Sequence, residues 1–209
     1  MIFGSLDPWS DVFPEGLIPH ILDLVISAWA EFPRPNRDDH EVPITQKFRS
    51  VLIRNKNLIR LPVSISREVP EDDLRTGNEL GRIDLIFTHG NREDVYFSFE
   101  CKRLNIVLNG RRKILATEYV KAGMMRYITS QYAASLLHGG MIGYILDGDL
   151  TTAINRINEE IKKHCKELKV NSPEKLCKSS IRPNDKQVRE TKHQIELRQF
   201  IIHHVFLSA

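Results

Sequence analysis

The chain has 209 residues, and 41% of them are hydrophobic, which is enough for one domain with a sizeable core. No apolar run reaches the ~18 residues needed to cross a bilayer, and no basic stretch precedes an apolar one at the N-terminus. A transmembrane helix and a signal peptide are therefore not expected. The three cysteines form no CxxC pair and no cluster with histidine, which indicates a reducing, cytoplasmic setting.

The formal net charge of +3 is distributed unevenly along the chain. Residues 1–100 carry a balance of −6, whereas residues 101–209 carry a balance of +9. A basic half beside an acidic half fits a polyanionic substrate. Long solvated helices rich in lysine would produce the same asymmetry, so both interpretations stay open on charge alone.

The first part of the chain is predicted to be helical. After an irregular lead-in over residues 1–16, apolar positions at helical spacing predict an amphipathic helix from Leu17 to Phe32. The prolines of residues 33–36 break that helix. A second helix is predicted from Pro43, which favours a first turn, to about Arg54.

Three strands are predicted next, because apolar and polar residues alternate between segments of turn residues. The predicted strands are Leu61–Glu68, Leu80–Thr88 and Asp94–Lys102, with a charged loop over Pro70–Asn78 and a hairpin connection over His89–Glu93.

Helices and strands are predicted to alternate in the remainder of the chain. The predictions are a basic loop over Asn105–Lys113, a helix over Thr117–Leu137 that Gly139-Gly140 stops, a buried strand over Met141–Leu146, a helix over Leu150–Leu168, a polar loop over 170–187 and a closing strand over Gln194–Leu207. This order indicates an α/β (α+β) fold with a mixed central β-sheet flanked by helices. We expect one domain over residues 1–209, with a helical lead-in over 1–40, a core over 41–147 and a C-terminal helix and closing segment over 148–209.

Charged residues occur in two of these strands where an apolar core would be expected. Asp84 follows Gly81-Arg82-Ile83, and Glu100-Cys101-Lys102 ends the run Val95–Phe99. Side chains alternate across a strand, so Glu100 and Lys102 share one face. Pairing of the two strands through the hairpin would bring Asp84 to the same side.

Two neighbouring carboxylates repel each other, and a divalent cation such as Mg²⁺ offsets that repulsion. The cation would polarise a phosphate and activate water, while Lys102 orients that water or stabilises the developing charge. The alternative is an exposed Glu100–Lys102 pair on an edge strand. We favour the metal site, because a charged pair at the end of so apolar a run is costly unless it is used.

These residues resemble the PD-(D/E)XK nuclease superfamily, which has the restriction-endonuclease-like fold. Ile83-Asp84 stands where the family often has Pro-Asp, and Glu100-Cys101-Lys102 stands for the second half of the motif. The resemblance covers roughly Glu41–Leu146, including the predicted αβββαβ core. It implies catalysis by Asp84, Glu100 and Lys102, and binding of Mg²⁺, or of Mn²⁺, at Asp84, Glu100 and Cys101.

The resemblance also implies a further catalytic acid on the helix before the sheet. Glu41 is the best candidate, although a solvent-exposed carboxylate that favours the helix dipole is an equal alternative. Glu68 and Glu79 are weaker candidates. Phosphate contacts are expected from basic residues near the motif or on the following helix, which are Arg103, Arg111, Arg112, Lys113, Lys121 and Arg126. For the four residues of the loop, solvated surface charge is an equal alternative.

Other residues near the motif are expected to be structural. Tyr119 and Tyr127 are predicted to be core or boundary aromatics, and Gly123 to allow close packing of the helix on the sheet. His203 and His204 lack zinc-type spacing and are expected to be packing or surface residues.

The expected function is metal-dependent cleavage of nucleic acid, with DNA as the expected substrate in a restriction or anti-phage defence system. Because each chain carries one site, double-strand cleavage calls for a homodimer or a partner subunit of a defence complex. The alternative is a module with the same fold that binds nucleic acid or protein without cleavage. No membrane partner is expected.

Overall fold

The computed structural model describes residues 13–72, 76–91, 94–129 and 136–209. The helices are α1 (Ile18–Glu31), α2 (Glu41–Leu58), α3 (Ala116–Tyr119), α4 (Met125–Ile128) and α5 (Leu150–Lys163), and a π-helical turn, Val120–Met124, joins α3 to α4. The strands are β1 (Ser64–Ser66), β2 (Val69–Asp72), β3 (Glu79–Ile83), β4 (Leu85–Thr88), β5 (Tyr96–Arg103), β6 (Asn105–Leu108), β7 (Arg111–Ile114), β8 (His138–Ile145), β9 (Cys177–Lys178), β10 (Val188–Ile195) and β11 (Arg198–Ser208).

Parts of four predictions lie outside the described residues. They are the lead-in over residues 1–12, the charged loop over 73–75, the hairpin connection over 92–93 and the helix over 130–135.

The centre of the fold is a seven-stranded sheet in the order β1-β4-β5-β8-β11-β10-β9. The pairs β5–β8 and β8–β11 are parallel, and the other neighbours are antiparallel. The predicted mixed sheet flanked by helices, and with it the α+β class, is therefore confirmed. The predicted order α-β-β-β-α-β is present as α2, β1, β4, β5, α3–α4 and β8.

Each face of the sheet has its own apolar core. On one face, α1 and α2 pack over side chains that include Phe97, Phe99 and Tyr144. On the other face, the helical segment 116–128 and α5 pack over Met141 and other apolar side chains. Alternation along β5 divides its residues between the two cores, and it places Glu100 on the face that segment 116–128 covers.

Two predicted loops include strands. In the predicted loop Pro70–Asn78, residues 70–72 belong to β2, whose partner β3 begins at Glu79, just after that loop. The predicted loop Asn105–Lys113 is a β-hairpin in which β6 pairs with β7. The loop predictions were wrong over these strand residues, because backbone pairing, not apolar alternation, holds the charged strands together. In the β6–β7 hairpin, Asn109 and Gly110 have φ of 51° and 72°, the left-handed values that a tight two-residue turn requires.

Several predicted boundaries also change. The predicted strand Leu80–Thr88 is interrupted at Asp84, where the chain leaves one sheet and enters another. Gly139-Gly140 lies inside β8 and does not stop a helix. The predicted closing strand is a hairpin of β10 and β11, and the predicted strand Leu61–Glu68 is reduced to β1.

The helix boundaries are closer to prediction. α1 matches the predicted helix, with Pro19 in its first turn. α2 begins at Glu41, two residues before the predicted start, so that Glu41 belongs to its first turn. α5 ends at Lys163 and not at Leu168. None of the helices in the described ranges is long and apolar enough to cross a membrane. The three cysteines, Cys101, Cys165 and Cys177, are unpaired.

Candidate metal centre

Asp84 lies at the junction of two antiparallel ladders. The β2–β3 ladder ends at the pair Val69–Ile83, and the β4–β5 ladder begins at the pair Leu85–Phe99. Asp84 is the residue between them, and extending the β4–β5 register by one residue sets it opposite Glu100. Its Oδ2 accepts a hydrogen bond of 2.7 Å from the backbone N–H of Cys101. The structure thus brings Asp84 to β5 as the strand pairing predicts.

Glu100 is fully buried, and its two oxygens have different surroundings. Oε1 lies 2.6 Å from Nζ of Lys102 and 2.9 Å from Nη1 of Arg126. Oε2 is buried and has no hydrogen-bond partner among the described residues. An unpaired buried carboxylate oxygen is costly, so Oε2 is an acceptor whose missing partner needs an explanation.

Lys102 connects Glu100 to Glu41 at the start of α2. Its Nζ lies 3.2 Å from Oε1 of Glu41 and 3.0 Å from the carbonyl oxygen of Cys101. Oε2 of Glu41 accepts the backbone N–H of Arg103 at 2.8 Å. Glu41 therefore belongs to the same cluster as the motif residues, and its position in the first turn of α2 also places it at the positive end of the helix dipole.

Burial and charge shift the pKa of all three motif residues. Burial raises the pKa of Asp84 to about 6, against the lowering effects of Lys102 and of the Cys101 N–H. Burial and the charge of Asp84 raise the pKa of Glu100 to about 7, although Lys102 and Arg126 oppose that rise. Burial lowers the pKa of Lys102, but the surrounding carboxylates outweigh it and raise that pKa above its ordinary value. Lys102 therefore stays cationic, whereas both carboxyl groups hold their negative charge at a cost.

The oxygen atoms at this centre fit a hard divalent cation. Asp84 supplies a carboxylate, Glu100 supplies the unpartnered Oε2, and Mg²⁺ takes such oxygen ligands together with water. The described part of the chain contains no group of three or more His, Cys, Asp or Glu side chains that could hold a metal ion. Any cation here would therefore depend on main-chain oxygen and water in addition to the two carboxylates.

The thiol of Cys101 lies on the wrong side of the sheet for this purpose. It is fully buried in the core under α1 and α2, and burial raises its pKa well above the ordinary value. A neutral thiol in an apolar core is not a metal ligand. The prediction that Cys101 binds the metal is therefore corrected for its side chain. Its carbonyl oxygen, which accepts a hydrogen bond from Lys102, is the atom of Cys101 that faces the centre.

The six predicted phosphate-binding residues divide into two groups. Arg103, Arg112 and Arg126 are bonded within the protein: Arg103 to the carbonyl of Asp39, Arg112 to Asp147 and Asp149, and Arg126 to Glu100. Arg111, Lys113 and Lys121 are exposed and form no ion pair in the described ranges. These last three are available to an external anion without loss of an internal contact.

Gly123 and Glu68 complete the surroundings of the centre. A Cβ on Gly123 would lie 2.5 Å from Cε of Met141 and 3.5 Å from Cγ of Lys102, so glycine allows the close helix packing that we expected. Glu68 immediately precedes Val69, which pairs with Ile83 next to Asp84, and its charge contributes to the raised pKa of Asp84. Its φ of 51° is unusual for a residue with a side chain. The pairing of β2 with β3 that brings Glu68 near Asp84 has no local signal in the sequence. Glu68 was therefore a weaker candidate than Glu41 for the further catalytic acid.

The remaining candidates are part of the core. Tyr119 and Tyr127 are fully buried, as predicted, and the hydroxyl of Tyr127 donates to the carbonyl of Gly140 at 2.9 Å. His203 and His204 are also buried, which agrees with their expected packing role.

A scan against protein-family models, a search of curated proteins and a search of solved structures each returned no match to this chain. The assignment to the PD-(D/E)XK superfamily therefore stays a prediction based on the motif residues and the order of the elements.

Proposed function

We propose that the protein is a metal-dependent nuclease that hydrolyses phosphodiester bonds of nucleic acid. The observation that carries this proposal is the buried Oε2 of Glu100, which has no partner in the described chain and belongs to a carboxylate that Lys102 contacts and the charge of Asp84 repels. A divalent cation at this position would satisfy that oxygen and offset the repulsion between the two carboxylates.

The residues that would hold the cation are Asp84 and Glu100, with the carbonyl oxygen of Cys101. When bound, Mg²⁺ or Mn²⁺ supplies Lewis-acid polarisation of a phosphoryl oxygen and a water of lowered pKa. The Cys101 N–H fixes one oxygen of Asp84, so this carboxylate keeps a defined orientation. The second carboxylate, that of Glu100, is held on the neighbouring strand by its burial.

Lys102 would act on the charge that develops during phosphate hydrolysis. Its ammonium group is held between Glu100 and Glu41, and its side chain is only 12% exposed, so its position is defined before substrate arrives. A preorganised cation of this kind stabilises developing negative charge without reorganisation. Glu41 is then a positioning residue for Lys102, and it also fixes the backbone of Arg103.

DNA as the substrate, and a restriction or anti-phage defence role as part of a homodimer or larger complex, belong to the same proposal and rest on the family resemblance. A module that binds without cleavage is the second candidate. It is favoured by the double ion pairing of Glu100 Oε1 with Lys102 and Arg126, which stabilises the cluster without metal.

A cleavage assay distinguishes the two candidates. Purified protein is incubated with supercoiled plasmid, single-stranded DNA and RNA, with Mg²⁺, with Mn²⁺ or with EDTA. Wild-type protein should cleave at least one substrate only when metal is present. Lys102→Ala should reduce the rate about 100-fold or more, since it removes a preorganised cation. Asp84→Asn should abolish metal-dependent cleavage.

Lys162→Ala is the matched control, because Lys162 is an exposed lysine on α5 outside this cluster. It should cleave at the wild-type rate. Equal cleavage by the wild type and by Asp84→Asn would contradict the nuclease assignment. Metal-independent binding of nucleic acid without cleavage by any preparation would support the second candidate.

A further inference from the structure

A cleft opens between the Pro33–Asp39 segment and one side of α2. Its volume is about 430 Å³, and its lining includes the apolar side chains of Phe32, Ile44 and Val51. Pockets of ~300–1,000 Å³ with apolar walls and a few polar groups are typical of sites for ligands of this size. The cleft can therefore hold a flat apolar group.

The rim of this cleft is positively charged. Arg34 and Lys47 line it, are exposed, and form no ion pair or side-chain hydrogen bond within the described ranges. Asp39 is the acidic residue of the lining, and its carboxylate already accepts the N–H of Asn36 at 2.8 Å. The two cations are thus the groups of the rim with unused binding capacity, and they favour an anion.

The segment that lines the cleft is bonded to residues next to the candidate metal centre. The carbonyl of Asp39 accepts a hydrogen bond of 3.0 Å from Arg103, and Glu41, two residues further along, contacts Lys102. On its other side, the carbonyl of Arg37 accepts the N–H of Val107 at 3.1 Å, which joins the segment to the β6–β7 hairpin. The segment that lines the cleft is therefore fixed both to β5, which carries the centre, and to the basic hairpin.

We propose that this cleft binds one unpaired nucleotide of a single-stranded nucleic acid. The base would lie on Phe32, Ile44 and Val51, and the adjoining phosphates would contact Arg34 and Lys47. A base stacked inside a duplex cannot enter a concave apolar cleft, whereas the bases of a single strand are free to leave the stack. The inference rests on the proposed function, and it specifies that the substrate strand is unpaired where it crosses α2.

The test measures binding in the absence of cleavage. The Asp84→Asn protein is titrated in EDTA with labelled single-stranded DNA, single-stranded RNA and blunt duplex DNA. Single strands should bind about tenfold or more tightly than duplex, and the DNA and RNA arms identify the preferred strand. A 2-aminopurine base in the single strand should change its fluorescence on binding as it leaves the stack.

Two variants separate insertion of a base from attraction of charge. Val51→Trp fills the cleft and should weaken single-strand binding about tenfold while leaving duplex binding unchanged. Lys47→Glu should weaken the binding of both, and more so at low salt. The matched controls are Ile59→Trp, which adds the same ring at an exposed position past the end of α2, and Lys162→Glu on α5. Neither control should change single-strand affinity.

Duplex binding as tight as single-strand binding would overturn this inference, and so would a folded Val51→Trp protein with unchanged single-strand affinity. An unchanged 2-aminopurine signal on wild-type binding has the same consequence and needs no variant. Because binding is measured in EDTA, these outcomes are independent of the plasmid assay. Failure of the nuclease assignment would appear there, as cleavage that does not depend on Asp84.

Discussion

Glu100 is an ionisable side chain that the fold removes completely from solvent. Two cations contact one of its oxygens, yet burial and the neighbouring Asp84 still raise its pKa from 4.5 to about 7. The folded protein therefore binds a proton at this carboxyl group more tightly than the unfolded chain does. It follows that the charged form, which a metal requires, costs stability while the metal is absent.

The variant Glu100→Gln tests this cost. Because the folded-state pKa is raised, the contribution of Glu100 to stability is greatest below pH 4.5 and is lost as the pH rises to about 7. Glutamine does not ionise, so the variant should become more stable than the wild type over this range. The difference above neutral pH should be on the order of 1 to 3 kcal/mol in urea unfolding with EDTA.

Glu174→Gln is the control, since Glu174 is exposed, and its stability should follow that of the wild type. Millimolar Mg²⁺ should then stabilise the wild type and leave Glu100→Gln unchanged, which would narrow the difference. A Glu100→Gln protein that is less stable than the wild type above neutral pH would show that the ion pairs with Lys102 and Arg126 outweigh burial.

Periodicity predicts those elements in which the apolar residues mark the buried side. α1 has an apolar stripe at helical spacing, and β5 alternates between two cores, so both are found from the sequence. The motif on β5 and its partner Asp84 follow from the same alternation. In contrast, the β2–β3 hairpin, and with it the effect of the Glu68 charge on the pKa of Asp84, depends on pairing that no apolar pattern marks. Only Asn109-Gly110 carries a local turn signal that would have identified β6–β7.

β8 shows why a glycine pair was mistaken for the end of a helix. Gly139 and Gly140 are buried within the strand, and each replaces a side chain so that an aromatic ring can lie against the backbone. A Cβ on Gly139 would lie 2.6 Å from the ring of Tyr127, and one on Gly140 would lie 2.4 Å from the ring of Phe99. Whether glycine marks a stop or a close contact depends on residues distant in sequence.

Gly140→Ala is predicted to destabilise the protein by about 1–3 kcal/mol, because the added methyl group overlaps the buried ring of Phe99. The free energy of unfolding from urea titration measures the effect. Gly16→Ala provides the control, as nothing lies within 4 Å of a Cβ built there. Comparable stabilities for the two variants would mean that the core moves to accept the methyl group at little cost.

At the scale of the whole molecule, a buried network of hydrogen-bonded polar side chains joins the core beneath segment 116–128 to strands β10 and β11. His193 Nδ1 lies 2.7 Å from the carbonyl of Leu168, which can only accept, so His193 donates there. Thr191 then donates to Nε2 of His193 and accepts from Nε2 of His204. Tyr119 donates to the remaining nitrogen of His204 at 2.9 Å. Every ring nitrogen and hydroxyl group of this network has a hydrogen-bond partner when both histidine rings are neutral.

His203 differs from these two histidines in its partners. Its ring stacks on that of His138, with centroids 5.3 Å apart, and Nε2 lies 3.1 Å from Nδ1 of His138. Its own Nδ1 is buried and has no partner among the described residues. His203 therefore contributes packing without a complete set of hydrogen bonds.

These three rings predict acid destabilisation. Burial lowers the pKa of His193 and of His203 from 6.5 to about 4, and the pKa of His204 lies well below its ordinary value. These histidines therefore bind protons more tightly in the unfolded chain than in the folded protein. For His193 and His203, the contribution to stability is complete above pH 6.5 and is lost as the pH falls to about 4.

His203→Leu removes one of these titrations together with the unpartnered Nδ1. Between about pH 7 and about pH 4.5, its free energy of unfolding should fall less than that of the wild type, by about 2 kcal/mol. The control is His20→Leu, which replaces an exposed histidine. Its free energy of unfolding should fall by the same amount as that of the wild type. The opposite effect of Glu100 is present in all three proteins and cancels in the comparison. An equal acid loss in wild type and His203→Leu would mean that folding does not lower the pKa of His203.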